Sequence, residues 1–135
     1  MKYTVVAVGK IRPPYADDDA HYRKMLGGHA RVEIIEVRDG EQLERRIPER
    51  THRVVLDAGG RTYDSEAFAR RLEEWRRAGR DVCFVIGGAF GVTVERRDET
   101  LSFGPMTFPH QLARVLLLEQ LYRAHKILAG EPYHH

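Results

Sequence analysis

The sequence predicts an α/β domain built on a parallel sheet, and three observations carry that prediction. Short apolar runs alternate with longer amphipathic stretches, the order that produces strand–helix–strand units. One run, Val82-Cys83-Phe84-Val85-Ile86, is apolar at every position, as a strand covered on both faces must be. It leads directly into Gly87, Gly88 and Gly91, so the chain leaves a buried strand through a pliable loop.

Taken in order, residues 2–8 form the first strand, closed by Gly9, and Pro13-Pro14 breaks the chain before a helix over 17–26. Asp17, Asp18 and Asp19 suit the positive end of that helix, and Gly27-Gly28 stops it. Residues 31–37 alternate as a second strand. Residues 39–50 are polar apart from Leu43 and Ile47 and predict a short exposed helix. A third strand over 53–57 is turned by Ala58-Gly59-Gly60. A helix over 65–78 then places Phe68, Leu72 and Trp75 on one face, and Gly79 closes it. The fourth strand spans 81–86. A short helix is expected over 92–99, then a brief strand and a bend at Gly104-Pro105. The longest helix covers 109–129, opened by Pro109. No repeat or linker divides the chain, so residues 1–135 are read as one domain.

Hydrophobic residues make up 42% and charged residues 31%, which excludes a disordered chain. No apolar run approaches the ~18 residues of a membrane helix. The opening is too short and strand-like for a signal peptide, so a cytoplasmic location is expected. Cys83, the sole cysteine, has no internal disulfide partner and reads as a buried strand residue. The net charge of +2 does not by itself require a nucleic-acid partner. All but four of the 22 basic residues are arginine, which suits phosphate contacts and stacking but also follows from a GC-rich genome. The seven histidines show no paired ligand spacing, so no metal is expected.

Ligands on open α/β sheets bind beyond the carboxyl ends of strands. The loop from Gly87 to Gly91 is therefore either a ligand-holding turn or simply a tight one. It is neither a Walker loop nor a G-x-G-x-x-G element. The irregular apolar stretch from Leu101 to His110 carries backbone groups that need partners, and an adenine ring fits between such walls. The following helix is apolar on every side around Val115 to Leu118, which fits either a second subunit or deep burial in one domain. Asp57, at a strand end, either takes part in chemistry or caps the next turn.

Several stretches acquire specificity together: Val85-Ile86-Gly87-Gly88-Ala89-Phe90-Gly91, the run Met106-Thr107-Phe108-Pro109-His110-Gln111-Leu112-Ala113-Arg114-Val115, and Glu119-Gln120-Leu121-Tyr122-Arg123-Ala124 leading to Pro132-Tyr133-His134. Val6-Ala7-Val8-Gly9-Lys10 and Leu56-Asp57 add to them. Over essentially its whole length the chain resembles the ribosomal RNA large subunit methyltransferase H family. It looks shorter than typical members between residues 37 and 53, and it has Phe90 where many members carry an acidic residue. The resemblance implies the SPOUT fold, a parallel sheet with a C-terminal trefoil knot. It implies a homodimer that methylates N3 of a pseudouridine in 23S ribosomal RNA with S-adenosylmethionine. It further implies that Leu56, Gly87, Phe103, Gly104, Pro105, Met106, Thr107 and Phe108 bind that cofactor.

The imide proton of the acceptor must leave during transfer. His134 is the first expected acceptor and Glu119 the second. Arg123 and Arg114 are expected to hold phosphate or a deprotonated base, and Tyr133 to stack on the substrate. Glu119 and Arg123 also read as an ordinary i,i+4 helix pair. The rival readings are a non-catalytic RNA or ribosome binder with the same fold, and an enzyme using the glycine loop for a phosphate ligand.

Overall fold

The computed structural model describes residues 1–88 and 91–133. Five parallel strands form one sheet in the order β2-β1-β4-β3-β5. They are β1 (Lys2–Val8), β2 (Arg31–Val37), β3 (His52–Arg61), β4 (Val82–Ile86) and β5 (Glu99–Leu101). The helices are α1 (Ala16–Gly27), α2 (Leu43–Arg46), α3 (Ser65–Ala78) and α4 (His110–Leu128). β4 lies at the centre and every one of its residues is buried, as its unbroken apolar run requires.

Crossover handedness explains which face each connection covers. Parallel crossovers are right-handed, so two that step the same way across the sheet lie on the same face. β1 to β2 and β3 to β4 step the same way, and α1 and α3 share one core with Tyr3, Val5, Val54 and Phe84. β2 to β3 and β4 to β5 step the opposite way. Their connections deliver Leu43, Ile47, Val92 and Val94 to the other face, against Val6, Val55, Cys83 and Val85. Alternate residues of each strand serve alternate cores.

α3 follows its sequence closely. Asp64 accepts the Ala67 N–H at 2.7 Å as N-cap, and Gly79 ends the helix at φ +73. Phe68, Leu72 and Trp75 are each at most 5% exposed. At about 1.5–3 kcal/mol for each large apolar side chain buried, that stripe fixes the helix to the sheet.

Three expectations are corrected. Residues 92–98 form no helix: Val92 and Val94 enter the core at a spacing of two, which suits extended chain. Hydrogen bonds to residues from elsewhere also hold this segment. Glu44 accepts the Glu95 N–H at 2.8 Å, and the Arg53 N–H reaches Asp98 at 2.8 Å. The 39–50 segment is a 3₁₀ turn at Gly40–Gln42 followed by the four-residue α2, and its Leu43 and Ile47 are buried, not exposed. β3 does not stop at Asp57 but runs to Arg61 with a register shift, pairing a second time with Leu101. Gly60 permits this, because a Cβ there would lie 2.6 Å from the Thr100 carbonyl oxygen.

α4 packs between α1 and α3, and Val115, Leu117, Leu118 and Leu121 are at most 7% exposed. Its all-round apolarity is therefore largely consumed within the chain. Leu112 and Leu116 remain half-buried.

Candidate active site

A cavity of about 680 Å³ opens at the carboxyl ends of three strands, where ligands of open parallel sheets bind. Leu56 and Asp57 come from β3, Ile86, Gly87 and Gly88 from the end of β4, and Leu101 from β5. Phe103, Gly104, Met106, Thr107 and Phe108 close it from the loop after β5. His110 and Ala113 of α4 form the remaining wall. Its volume falls in the usual range for small-molecule sites.

Local chemistry shapes these walls. Gly87 is crowded by its own loop: a Cβ there would overlap the Gly91 carbonyl and stand 2.6 Å from Val92 Cγ2. The loop after β5 is folded around Ser102, which is 4% exposed. Its hydroxyl lies 2.9 Å from the carbonyls of Ala58 and Gly104 and accepts the Gly104 N–H at 2.9 Å. Gly104 takes φ +130, where glycine is favoured. Among the described residues, the N–H groups of Met106, Thr107 and Phe108 find no partner. Free backbone donors beside Phe103, Phe108 and Leu56 make a site for a ligand that is part apolar and part hydrogen-bonding.

Of the residues expected to bind cofactor, Leu56, Gly87, Phe103, Gly104, Met106, Thr107 and Phe108 line this one cavity. Pro105 lies in the same loop, exposed and off the wall. Asp57 borders the cavity, but its carboxylate accepts the Gly59 N–H at 3.0 Å, the turn-capping alternative. Sequence reasoning missed Ala58, Val92 and Ala113 on the wall. The i,i+3 spacing from His110 was the available signal for Ala113.

Of the residues expected to act on substrate, Arg114, Glu119, Arg123 and Tyr133 do not line that cavity. Glu119 and Arg123 form an ion pair at 2.7 Å on the distal half of α4, and the Tyr133 hydroxyl donates to Glu119 at 3.0 Å. The Arg123 guanidinium also lies 5.0 Å from the Tyr133 ring centroid. Burial and then the bond to Glu119 push the Tyr133 hydroxyl pKa upward, and Glu119 raises that of Arg123. With a rise of 1.5 Å per residue, Glu119 stands roughly 13 Å along the helix from His110. Arg114 is 3% exposed and points inward, bonding Asp19 at 2.7 and 3.1 Å and Glu36 at 2.7 Å. Its amphipathic spacing masked this, because only the fold brings α1 and β2 beside it. His134 and Phe90 lie outside the described residues. Cys83 is buried, its thiol pushed up to about 12 by burial, so it is no nucleophile. No group of metal-ligating side chains occurs among the described residues, and no helix there is long and apolar enough to cross a membrane.

A parallel sheet with a backbone-built pocket at its carboxyl edge defines the class, and similarity to known proteins makes it specific. A family model described as "Predicted SPOUT methyltransferase" matches residues 1–134. Ribosomal RNA large subunit methyltransferase H of Gluconacetobacter diazotrophicus is 53% identical, the match covering 96% of this chain and 95% of that protein. The proteins of the same name from Rubrobacter xylanophilus and Acetivibrio thermocellus are 46% and 42% identical, with at least 96% of both chains covered. The chain belongs to the SPOUT methyltransferase family, within the ribosomal RNA large subunit methyltransferase H group. Those alignments run over 146 to 158 positions against 135 residues here, so the relatives carry positions that this chain lacks.

Proposed function

We propose that this chain is a cytoplasmic, single-domain enzyme that methylates N3 of a pseudouridine in 23S ribosomal RNA, using S-adenosylmethionine. One observation carries the reading: segments near residues 56, 87 and 103–108, far apart in sequence, converge on one cavity with unpaired backbone donors. The residues present fit that cofactor. Leu56, Phe103 and Phe108 offer apolar walls to an adenine, and the N–H groups of Met106, Thr107 and Phe108 offer it donors. When bound, S-adenosylmethionine would supply an electrophilic methyl group whose S–CH₃ bond breaks as the new N–CH₃ bond forms, leaving S-adenosylhomocysteine. The chain's own work is to align the acceptor with that methyl group and exclude water. As the N–CH₃ bond forms, the N3 proton passes to a base, with His134 the first candidate and Glu119 the second. Arg123 stabilises negative charge on the acceptor, and Tyr133 stacks on its base. Arg114, buried between two carboxylates, is left with a positioning role.

The distance from Glu119 and Tyr133 to their own chain's cavity favours a homodimer in which one tail serves the partner's cavity. Half-open Leu112 and Leu116 support this. So does a second cavity floored by Phe68, Leu101 and Leu116 beside that stripe. The approach of His110, which follows β5 at the sheet edge, to Gly9 at the end of β1 supports a C-terminal trefoil knot.

The test is transfer of labelled methyl to large ribosomal subunits lacking the modification, with the modified base mapped, for wild type and His134→Ala. Turnover on pseudouridine that is lost in the variant is the expected result. Cofactor binding without transfer to any RNA supports the non-catalytic binder instead, and a strictly monomeric active enzyme by light scattering removes the shared site.

A further inference from the structure

We propose that the basic edge where residues 9–12 meet Arg38 and the first turn of α4 holds the phosphodiester backbone of the acceptor RNA. The proposal rests on the RNA-methylating function above and names the cations that grip the substrate. Arg114 is unavailable for that task, since Asp19 and Glu36 enclose its guanidinium.

Three successive residues of this loop are held by side chains from elsewhere. Gln111 of α4 donates to the Lys10 carbonyl at 3.1 Å and accepts the Arg12 N–H at 2.9 Å. Between them, the Ile11 N–H donates to Glu36 at 2.8 Å, and Glu36 is itself bonded to Arg114. Gly9 enters the loop at φ +93, and a Cβ there would lie 3.3 Å from His110 Nε2. His110 also lines the donor cavity, so the loop and the cavity share a wall. Arg38 joins the edge through the sheet register: Val8 pairs with Val37, and the Gly9 N–H donates to the Val37 carbonyl at 2.8 Å.

The charges on this edge face solvent. Lys10, Arg12 and Arg38 are exposed, and among the described residues their side chains make no hydrogen bond or close ion pair, although Lys10 lies within electrostatic reach of Glu36. By contrast, Arg71, Arg76 and Arg77 on α3 are each paired with a glutamate. Of the nearby acids, Glu36 and Asp19 are engaged by Arg114, and Asp39 caps the Glu41 N–H. A backbone fixed at three consecutive residues spares binding the cost of ordering the loop, so that only the cationic side chains themselves must be ordered. Phosphate contacts fix the register of a nucleic acid on a protein, and that is what a donor cavity next door requires.

The experiment measures kcat and KM for methyl transfer to unmodified large ribosomal subunits across a series of KCl concentrations. Lys10→Ala/Arg12→Ala is expected to raise KM about tenfold, with kcat nearly unchanged, and to flatten the salt slope by about 1 for each phosphate no longer neutralised. Binding of S-adenosylhomocysteine, by calorimetry, stays at the wild-type value. Gln111→Ala moves KM the same way, because it releases the loop, while Lys10→Arg/Arg12→Lys keeps the wild-type salt slope. Arg70→Ala, on α3, leaves the slope alone. A wild-type salt slope and KM in Lys10→Ala/Arg12→Ala overturns the edge and spares the function. Absence of any transfer by wild type, with the donor analogue still bound, overturns the function and this inference with it.

Discussion

Tyr133 turns back from the end of the chain to donate its hydroxyl hydrogen to Glu119, 3.0 Å away, and packs at 4.8 Å against the ring of Tyr122. The same carboxylate holds Arg123, so one acidic side chain organises both the last described residue and the distal half of α4. Glu119→Ala should therefore release the tail. We expect faster amide exchange at Gly130 and Glu131, a loss of methyl transfer of at least about tenfold, and unchanged cofactor affinity. Exchange that stays at the wild-type rate would show that the aromatic contact alone holds the tail.

Gly87→Ala tests the cavity. The added methyl meets the Gly91 carbonyl and Val92, so the loop must move. Overpacking of this kind costs about 1–3 kcal/mol, read by urea unfolding. Binding of S-adenosylhomocysteine should weaken more than tenfold by calorimetry, since the displaced loop forms part of the cavity wall. Native affinity in a destabilised variant would place the ligand elsewhere.

Arg114→Met leaves Asp19 buried without its partner, and removing one member of a buried pair costs about 3–5 kcal/mol. Urea midpoints at neutral pH measure it. Arg114→Lys should recover only part of the loss, because an ammonium cannot bond both oxygens of Asp19 in a fork.

His125 gives a pH signature at the opposite end of the sheet. Burial, then nearby His29 and Arg76, lowers its pKa from 6.5 to about 4, and its Nε2 shares a 2.8 Å hydrogen bond with the Tyr3 hydroxyl. The unfolded chain takes up this proton at higher pH than the folded one. The stability that neutral His125 contributes is thus present above about pH 6.5 and lost as pH falls toward 4. His125→Gln should flatten the stability curve across that window, and an NMR titration should show the ring staying neutral until the pH nears 4.

Much of this molecule is written locally. The apolar run of β4 required a central strand, Asp64 and Gly79 bounded α3, and glycines after Ile86 marked a loop that does line the cavity. Period and capping act over a few residues, so they survive in sequence. The helix expected over 92–99 failed because Val92 and Val94 pack on the apolar face of the sheet and the Glu95 N–H is taken by Glu44, 51 residues away.

What the sequence determined by itself was the α/β class, the order of its principal elements and the family, since these depend on short patterns and on several motifs occurring together. Only tertiary structure decided that Arg114 is enclosed by Asp19 and Glu36, that Asp57 caps a turn, and that Glu119 and Tyr133 stand apart from their own chain's cavity. The reason is physical: burial and charge pairing are properties of neighbours in space, and those neighbours come from elements up to 95 residues apart.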